Sequence, residues 1–543
     1  MAAKCEIGVS QFFAGKHVFI TGATGFMGKV LVERLLSTCA DVGRIYLLMR
    51  SKKDHSPEQR LQELKASQAF DNLRQSQPSQ LEKLRIVAGD IMLPGLGISQ
   101  EGLEDLQEVS VVFHSAATVK FNEALKIAIE QNLMSVIRLL EICDRLPHMQ
   151  AFVHVSTAYS NPELSTVEER VYPPPVPLDY LLDLAAEDSP LLDNVESFIS
   201  PKPNSYTFTK AMAEAAVQRH GCQYYPIAIV RPTIVISSLK HPFPGWLENA
   251  NGPTGVIFGA GRGLLRVFRC RQSALADLLP VDIGIDTLIA AAWEVASDRP
   301  PSPRVYNCSI SENPTTWGDL KRAINLHTRS QPQCGAVWYP GLHTAENGFL
   351  YKILEVLLQT TPLYIGEILV RILGYSHKRL NLIRVSTQMK NMQNAMKYFA
   401  LREWRFQSDN VRRLRERMSD VDKRIYNLDP CSIVWDEHYS NYVKGVRLYL
   451  LREKELDQPA AKKRLKKLYY LHYGLSVFMP FLLFRAFVRR KHRQNILEVL
   501  FAILSIFNAI FRRSTQNILY IYKVSLTFLN DNVFLNKVFN ESS

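Results

Sequence analysis

At 543 residues the chain is long enough for about three to four domain-sized units, and 47% hydrophobic with 22% charged residues excludes a disordered or fibrous chain. A formal charge of +13 points to anionic partners, a membrane surface or an anionic substrate; no zinc pattern or aromatic-interleaved basic motif argues for nucleic acid. Eight scattered cysteines without a Cys-x-x-Cys pair read as reduced thiols facing the cytosol, not a disulfide framework or a metal site, and the first ten residues lack an apolar run of signal-peptide length.

The first element is a buried strand, Val18-Phe-Ile, running into Thr21-Gly22-Ala-Thr24-Gly25-Phe26-Met27-Gly28-Lys29 and a helix over 29–36. Glycines spaced Gly-x-x-Gly-x-x-Gly between a strand and a helix have separate tasks. Gly22 allows the tight turn, Gly25 lets backbone approach a pyrophosphate, and Gly28 lets the helix pack on the strand. Thr24, Phe26 and Met27 complete the loop, and the helix N-terminus offers N–H groups and a positive dipole end to the phosphates. The second strand, 45–49, ends in Leu48-Met49-Arg50-Ser51-Lys52-Lys53. A carboxylate there would bind a ribose 2′-hydroxyl. Instead there are cations: Arg50, with Lys52 beside it, can hold a 2′-phosphate bidentately and stack on adenine, which selects NADP(H) over NAD.

The third strand, 84–88, leads to Gly89-Asp90-Ile91, with Asp90 placed for the adenine amino group and Ile91 next to it. After the fourth strand, 111–113, Ala116 and Ala117 give a small-residue floor. Residues 124–143 have a strong helical period. The fifth strand, 151–155, ends in His154-Val-Ser156-Thr157-Ala-Tyr159. The two histidines adjoining buried strands, His114 and His154, read as structural. A Pro-rich acidic insertion, 171–203, reads as a surface loop with a short helix.

Tyr206-Thr-Phe-Thr-Lys210 places a phenol and an ammonium on one helical face. The ammonium is expected to lower the phenol pKa and make Tyr206 an acid near neutral pH, while Lys210 also reaches the nicotinamide ribose. Thr157, with Ser156 second, is the hydroxyl that would bind a substrate carbonyl beside the tyrosine. The sixth strand is 227–230, and a Gly/Pro-rich segment over 242–263 reads as a wall of the substrate cleft. Strands alternating with helices at this rhythm predict an α/β, Rossmann-type doubly wound parallel sheet over 14–335.

From 350 to 453 the chain reads as a separate helical domain, basic and aromatic. Within it, 349–373 reads either as an interfacial amphipathic helix or as a packed one. The tail, 465–513, has two apolar stretches, 468–484 and 494–511, at or just below membrane-spanning length and flanked by basic residues. The charges favour a membrane-inserted hairpin with all ends cytosolic over two full spans, with a soluble core hairpin as the alternative. Residues 514–543 form a short tail.

The glycine spacing, Val155-Ser-Thr157 and Tyr206-x-x-x-Lys210 resemble the extended short-chain dehydrogenase/reductases. Further segments resemble one branch, the fatty acyl-CoA reductases of the insect type. These are His114-Ser-Ala-Ala-Thr118, Val230-Arg-Pro-Thr233, Gly245-Trp246, Asn251-Gly-Pro-Thr-Gly255, Trp404-Arg-Phe406 and Gly445-Val-Arg447. The resemblance implies NADPH-dependent reduction of a long-chain fatty acyl-CoA to a primary alcohol through an aldehyde, with CoA released. It also places Pro232 and Thr233 beside the nicotinamide, and membrane lipid next to the tail. Oligomeric state stays open. The endoplasmic reticulum is expected over the peroxisome, because Asn540-Glu-Ser-Ser543 is not a Ser-Lys-Leu signal. Two competing readings are an NADP(H)-dependent sterol or sugar-nucleotide dehydrogenase and a catalytically idle NADP-binding membrane scaffold.

Overall fold

The computed structural model describes residues 7–52, 55–372 and 382–487; Lys53 and the apolar stretch 494–511 lie outside them. Seven strands make one parallel sheet: β1 His17–Thr21, β2 Ile45–Met49, β3 Leu84–Ala88, β4 Val109–His114, β5 Ala151–Val155, β6 Ile227–Pro232 and β7 Arg304–Cys308. Their order is β7-β6-β5-β4-β1-β2-β3. The strand order reverses between β1 and β4, which opens a crevice at the carboxyl ends of those strands. β2, β4, β5 and β6 are buried along their whole length, as a sheet covered by helices on both faces requires.

The six expected strands are present. β7 is a strand the sequence pattern does not announce, because Arg304 and Asn307 interrupt its apolar run. Tertiary partners satisfy both. Arg304 pairs with Glu294 and Asp298, and the Asn307 side-chain amide donates to the carbonyls of Val167 and Gln407. The long helix expected over 124–143 is broken in its middle by a π turn, Glu130–Met134, between Leu125–Ile129 and Ser135–Cys143. The insertion 171–203 is more than a surface loop. Its helix Leu178–Ala186 sends Leu178, Leu181 and Leu184 into a small core with Leu133, Phe208 and Met212.

Five helices position the site and its surroundings: α1 Phe26–Thr38, α2 Ser205–His220, α3 Val281–Asp298, α4 Leu382–Ala400 and α5 Trp435–Gly445. Residues up to 465 form one compact unit, so no structural break stands at the boundary expected near 350. Three kinds of contact join the helical part to the sheet part. Arg34 on α1 and Asp286 on α3 form a buried ion pair at 2.8 Å; Arg34 also donates to the Ile425 carbonyl, and Asp286 accepts the Asn427 N–H. Tyr439 and Tyr442 on α5 bond Thr315 and Thr254 at 2.7 and 2.6 Å. Finally, α5 and the 245 loop meet backbone to backbone. A Cβ on Gly445 would lie 1.8 Å from the Gly245 carbonyl oxygen, and a Cβ on Gly245 would lie 2.1 Å from that of Asn441. That contact gives a physical reason for glycine at both positions.

The described residues from 466 to 487 belong to a second unit. The helix Gln458–Phe487 takes in the first apolar tail stretch, with Pro480 inside it and Tyr470, Val477, Phe478 and Phe481 exposed. Among the described residues no helix is long and apolar enough to cross a membrane.

Candidate active site

The glycine turn sits at the mouth of the crevice. Gly22 has φ +78°, and a Cβ there would lie 2.7 Å from the Ala116 backbone nitrogen, so the turn packs directly on the loop that follows β4. A Cβ on Gly28 would lie 2.2 Å from the Gly22 carbonyl oxygen, which locks the start of α1 against the turn. Gly25 is the N-cap of α1 and supplies no side-chain cap, so the first-turn amides of the helix have no competing acceptor from it. This cradle fits a pyrophosphate. The Ala116 N–H bonds the Thr21 hydroxyl at 3.2 Å, fixing the Ala116–Ala117 floor; Phe26 stacks on Trp246 with ring centres 5.3 Å apart. Met27 follows Phe26 in the first turn of α1.

At the far end of the crevice the structure brings Arg50 and Asp90 together, 3.0 Å apart. Half of Arg50 faces solvent, and the other Asp90 oxygen accepts the Met92 N–H. Ile91, partly buried, gives its carbonyl to Arg138 at 3.4 Å. Lys52 is exposed. The sequence pattern misses Arg60: its guanidinium donates to the Arg50 carbonyl and to the Thr24 hydroxyl, at 2.6 and 3.0 Å, and so ties the cation end to the glycine loop. No motif marks it, because it reaches the loop from the exposed helix Pro57–Lys65.

Tyr206 lies in the first turn of α2, whose N-cap Asn204 accepts the Thr207 N–H. Its ring stacks on Phe121 with centroids 5.7 Å apart, and the Thr157 hydroxyl acts on its phenol. Thr157 follows β5, is 5% exposed, and accepts the Tyr159 N–H at 3.2 Å. One turn beyond Tyr206, Lys210 is 3% exposed and donates to the Val155 carbonyl at 2.7 Å. Tyr206, Lys210 and Thr157 therefore converge at the carboxyl end of β5.

The electrostatics differ from the expectation. Burial pushes the Tyr206 phenol up to about 12, with the Thr157 hydrogen bond opposing it only in part. No lowering by the ammonium offsets this; burial also acts on Lys210, bringing it down to about 8 while Glu214 pulls the other way. Tyr206 is thus a protonated phenol at neutral pH.

Ser156 is turned away. Its hydroxyl donates to Glu214 at 2.5 Å, and Glu214 is paired on both oxygens with Arg231 at 2.8 and 2.7 Å. Arg231 is fully buried and also donates to the carbonyls of Glu168 and Arg170. Glu214 continues the i, i+4 ladder from Tyr206 and Lys210, a signal legible in the sequence; its partner is visible only in three dimensions. Beside the pair, Lys202 is buried and holds the turn after Thr157 through Ser160, Asn161 and Glu163. Thr233 spends its hydroxyl on Asp277 at 2.7 Å and its N–H on the Cys308 carbonyl, at the end of β6 after Pro232.

His114 and His154 stack at 5.7 Å between the strands, and burial keeps both neutral, His114 down to about 3. Asn132, inside the π turn, clasps Thr118 through both its N–H and its carbonyl and donates to Thr209 at 3.0 Å, so the helix irregularity serves the loop after β4. The helical part completes the wall: Phe399 lies 5.4 Å from Phe121, and Tyr159 makes edge contacts with Phe399, Trp404 and Phe406. Away from this site, Glu312, Asp429 and Cys431 come together, with the Arg415 guanidinium bonded to both carboxylates.

Two family models described as "Male sterility protein" match the chain, over residues 20–288 and 358–453. Fatty acyl-CoA reductase 1 of Xenopus laevis is 36% identical over 512 residues, which is 93% of this chain and 99% of that protein. Fatty acyl-CoA reductase wat of Drosophila melanogaster is 35% identical, over 88% of this chain and 92% of its own length. Among solved structures, the reductase domain of a nonribosomal peptide synthetase from Mycobacterium tuberculosis superposes with a TM-score of 0.52 at 16% identity, covering 81% of this chain and 94% of that one.

Proposed function

The chain belongs to the fatty acyl-CoA reductase family, and on that premise we propose that NADPH is its reductant and that Thr157, Tyr206 and Lys210 carry its chemistry. It is an oxidoreductase that reduces a fatty acyl-CoA to a primary fatty alcohol, and it binds a nicotinamide cofactor. The observation that carries the assignment of roles is the convergence of a partly buried, protonated phenol, the Thr157 hydroxyl and a buried ammonium at the carboxyl end of β5.

When bound, the cofactor supplies hydride. The chain supplies the rest. The Thr157 hydroxyl and the Tyr206 phenol hold the thioester carbonyl and stabilise the oxyanion that develops on it. Tyr206 gives its proton to that oxygen, and Lys210 offsets the negative charge left on the phenol. Collapse of the hemithioacetal expels CoA and leaves an aldehyde, which the same groups hold and protonate in a second reduction. The aromatic wall of Phe121, Tyr159, Phe399 and Trp404 lets apolar substrate lie against the reacting carbon while excluding water.

NADPH is favoured over NADH by Arg50 and Arg60, which put two guanidinium groups at the adenosine end, against one carboxylate. Arg50→Ala is expected to raise KM for NADPH about tenfold or more, as loss of a charge-assisted phosphate contact implies, and to leave KM for NADH nearly unchanged. Steady-state kinetics with the two cofactors measures this. An equal effect on both removes Arg50 from the 2′-phosphate site.

The same reading places the enzyme on a membrane, the endoplasmic reticulum in preference to the peroxisome, with its catalytic part in the cytosol. Support comes from the helical run Gly348–Glu355, Val356–Thr360 and Thr361–Ile372, which is amphipathic in reverse. Its polar Glu355, Gln359 and Glu367 are buried against the protein, while Phe349, Leu357, Ile365 and Ile368 are each more than half exposed. An apolar face of this kind lies in a lipid interface at no desolvation cost.

A further inference from the structure

Helix α4 carries Phe399 to the wall of the active site, and an earlier turn of it lines a different cavity. There Gln393, Asn394 and Lys397 face Arg269 from the strand Val267–Arg269, together with Tyr351 and Lys352 from the helix Gly348–Glu355. The cavity measures about 160 Å³, and no carboxylate lines it. Glu355, at the end of that same helix, is turned inward and paired with Lys390 at 3.1 Å. Among the described residues Arg269 makes a 3.4 Å hydrogen bond to the Glu346 carbonyl and lies over the Tyr351 ring.

Gln393 is the second observation. It is 4% exposed; its carbonyl accepts the Tyr351 hydroxyl at 3.0 Å, and its Nε2 has no partner among the described residues. A buried donor left unpaired is costly, and the cost disappears when a ligand brings an acceptor. Three cations and an unpaired amide donor around one cavity form a set made almost wholly of donors. Such a set matches a group with several anionic acceptor oxygens, and the guanidinium of Arg269 can engage two of them at once.

We propose that this cavity is a phosphate-binding site. Resting on the reading above that the substrate is an acyl-CoA, the first source of phosphate is the CoA moiety; the second is an anionic phospholipid headgroup, since the exposed apolar helix begins at the same place. The place of α4 favours the first: it carries Lys397 into this cavity and, on its opposite side, Phe399, which lies 5.4 Å from Phe121, itself stacked on Tyr206 at 5.7 Å. The flexible pantetheine arm would pass around α4 to the aromatic wall, with phosphate anchored at its outer end.

The test uses the full chain in detergent with saturating NADPH and the double variant Lys352→Gln/Lys397→Gln, whose changes lie on exposed side chains. KM for acyl-CoA is expected to rise about tenfold or more, the size of a lost charge-assisted contact, while KM for the same acyl group on pantetheine, which lacks phosphate, stays unchanged. If acyl-CoA kinetics are unchanged and flotation with phosphatidylcholine vesicles containing phosphatidic acid weakens relative to phosphatidylcholine alone, the site stands with the lipid as its source. Unchanged acyl-CoA kinetics with unchanged flotation overturn the proposal, as does an equal rise in KM for acyl-CoA and acyl-pantetheine. Should the unaltered chain release no thiol from acyl-CoA, the reaction reading fails by itself. Calorimetric binding of inorganic pyrophosphate, retained by the unaltered chain and lost in the variant or absent from both, then decides the cavity.

Discussion

Tyr206→Phe is expected to lower kcat for alcohol formation from acyl-CoA by about 10²–10⁴-fold, the usual contribution of a positioned general acid, while NADPH binding persists. The substitution removes one oxygen and keeps the ring, so the stack on Phe121 and the packing of α2 remain. The Thr157 hydroxyl keeps its bond to the Tyr159 N–H. The loss should therefore fall on the chemical step and not on folding. Cofactor binding, followed by fluorescence of the bound nicotinamide, and product formation, followed by gas chromatography, separate the two. Normal turnover by the variant contradicts the assignment. Lys210 adds a pH signature. Its pKa is brought down to about 8, so the ammonium is present below that pH and lost above it, and kcat/KM of the unaltered enzyme should fall on the alkaline side of about pH 8.

The second large effect is on stability. Glu214→Ala should destabilise the fold by about 3–5 kcal/mol, because it strands a fully buried guanidinium. Arg231 would keep its bonds to the Glu168 and Arg170 carbonyls but lose both carboxylate bonds, and Ser156 would lose its acceptor. Replacing both partners with apolar side chains of similar volume, as in Glu214→Leu/Arg231→Met, should recover much of the loss, since the cost comes from the unpaired charge. Chemical denaturation of both variants tests this. A Glu214→Ala protein within about 0.5 kcal/mol of the unaltered chain would show that the pair does not hold β6 to α2.

The parts of this molecule that could be read in the sequence are those whose signal is local. Six strands announce themselves as apolar runs, and the glycine turn by its spacing. Tyr206 and Lys210 stand one helical turn apart, and Thr157 ends a strand. The parts that could not be read depend on partners distant in the chain. β7 looks too polar until Arg304 and Asn307 are given their tertiary partners. Glu214 could be seen on the same face as Lys210, but its pairing with Arg231 needed the sheet. The helical part looked separable because its contacts with the 245 loop are made by backbone, where Gly245 and Gly445 meet without side chains. The direction of the Tyr206 shift is hidden from the sequence for a related reason. A neighbouring ammonium is visible in a pentapeptide, whereas the burial that shifts both groups is a property of the whole domain.

The central claim is that one site carries out two reductions on an acyl-CoA and releases the thiol between them. The direct measurement is a single reaction of the purified full chain with acyl-CoA and NADPH, in which NADPH oxidised, free thiol and fatty alcohol are quantified together. The account predicts two NADPH consumed for each thiol and each alcohol formed. Consumption of NADPH without thiol release, as a sterol or sugar-nucleotide dehydrogenase would show with its own substrate, or no consumption at all, would contradict it.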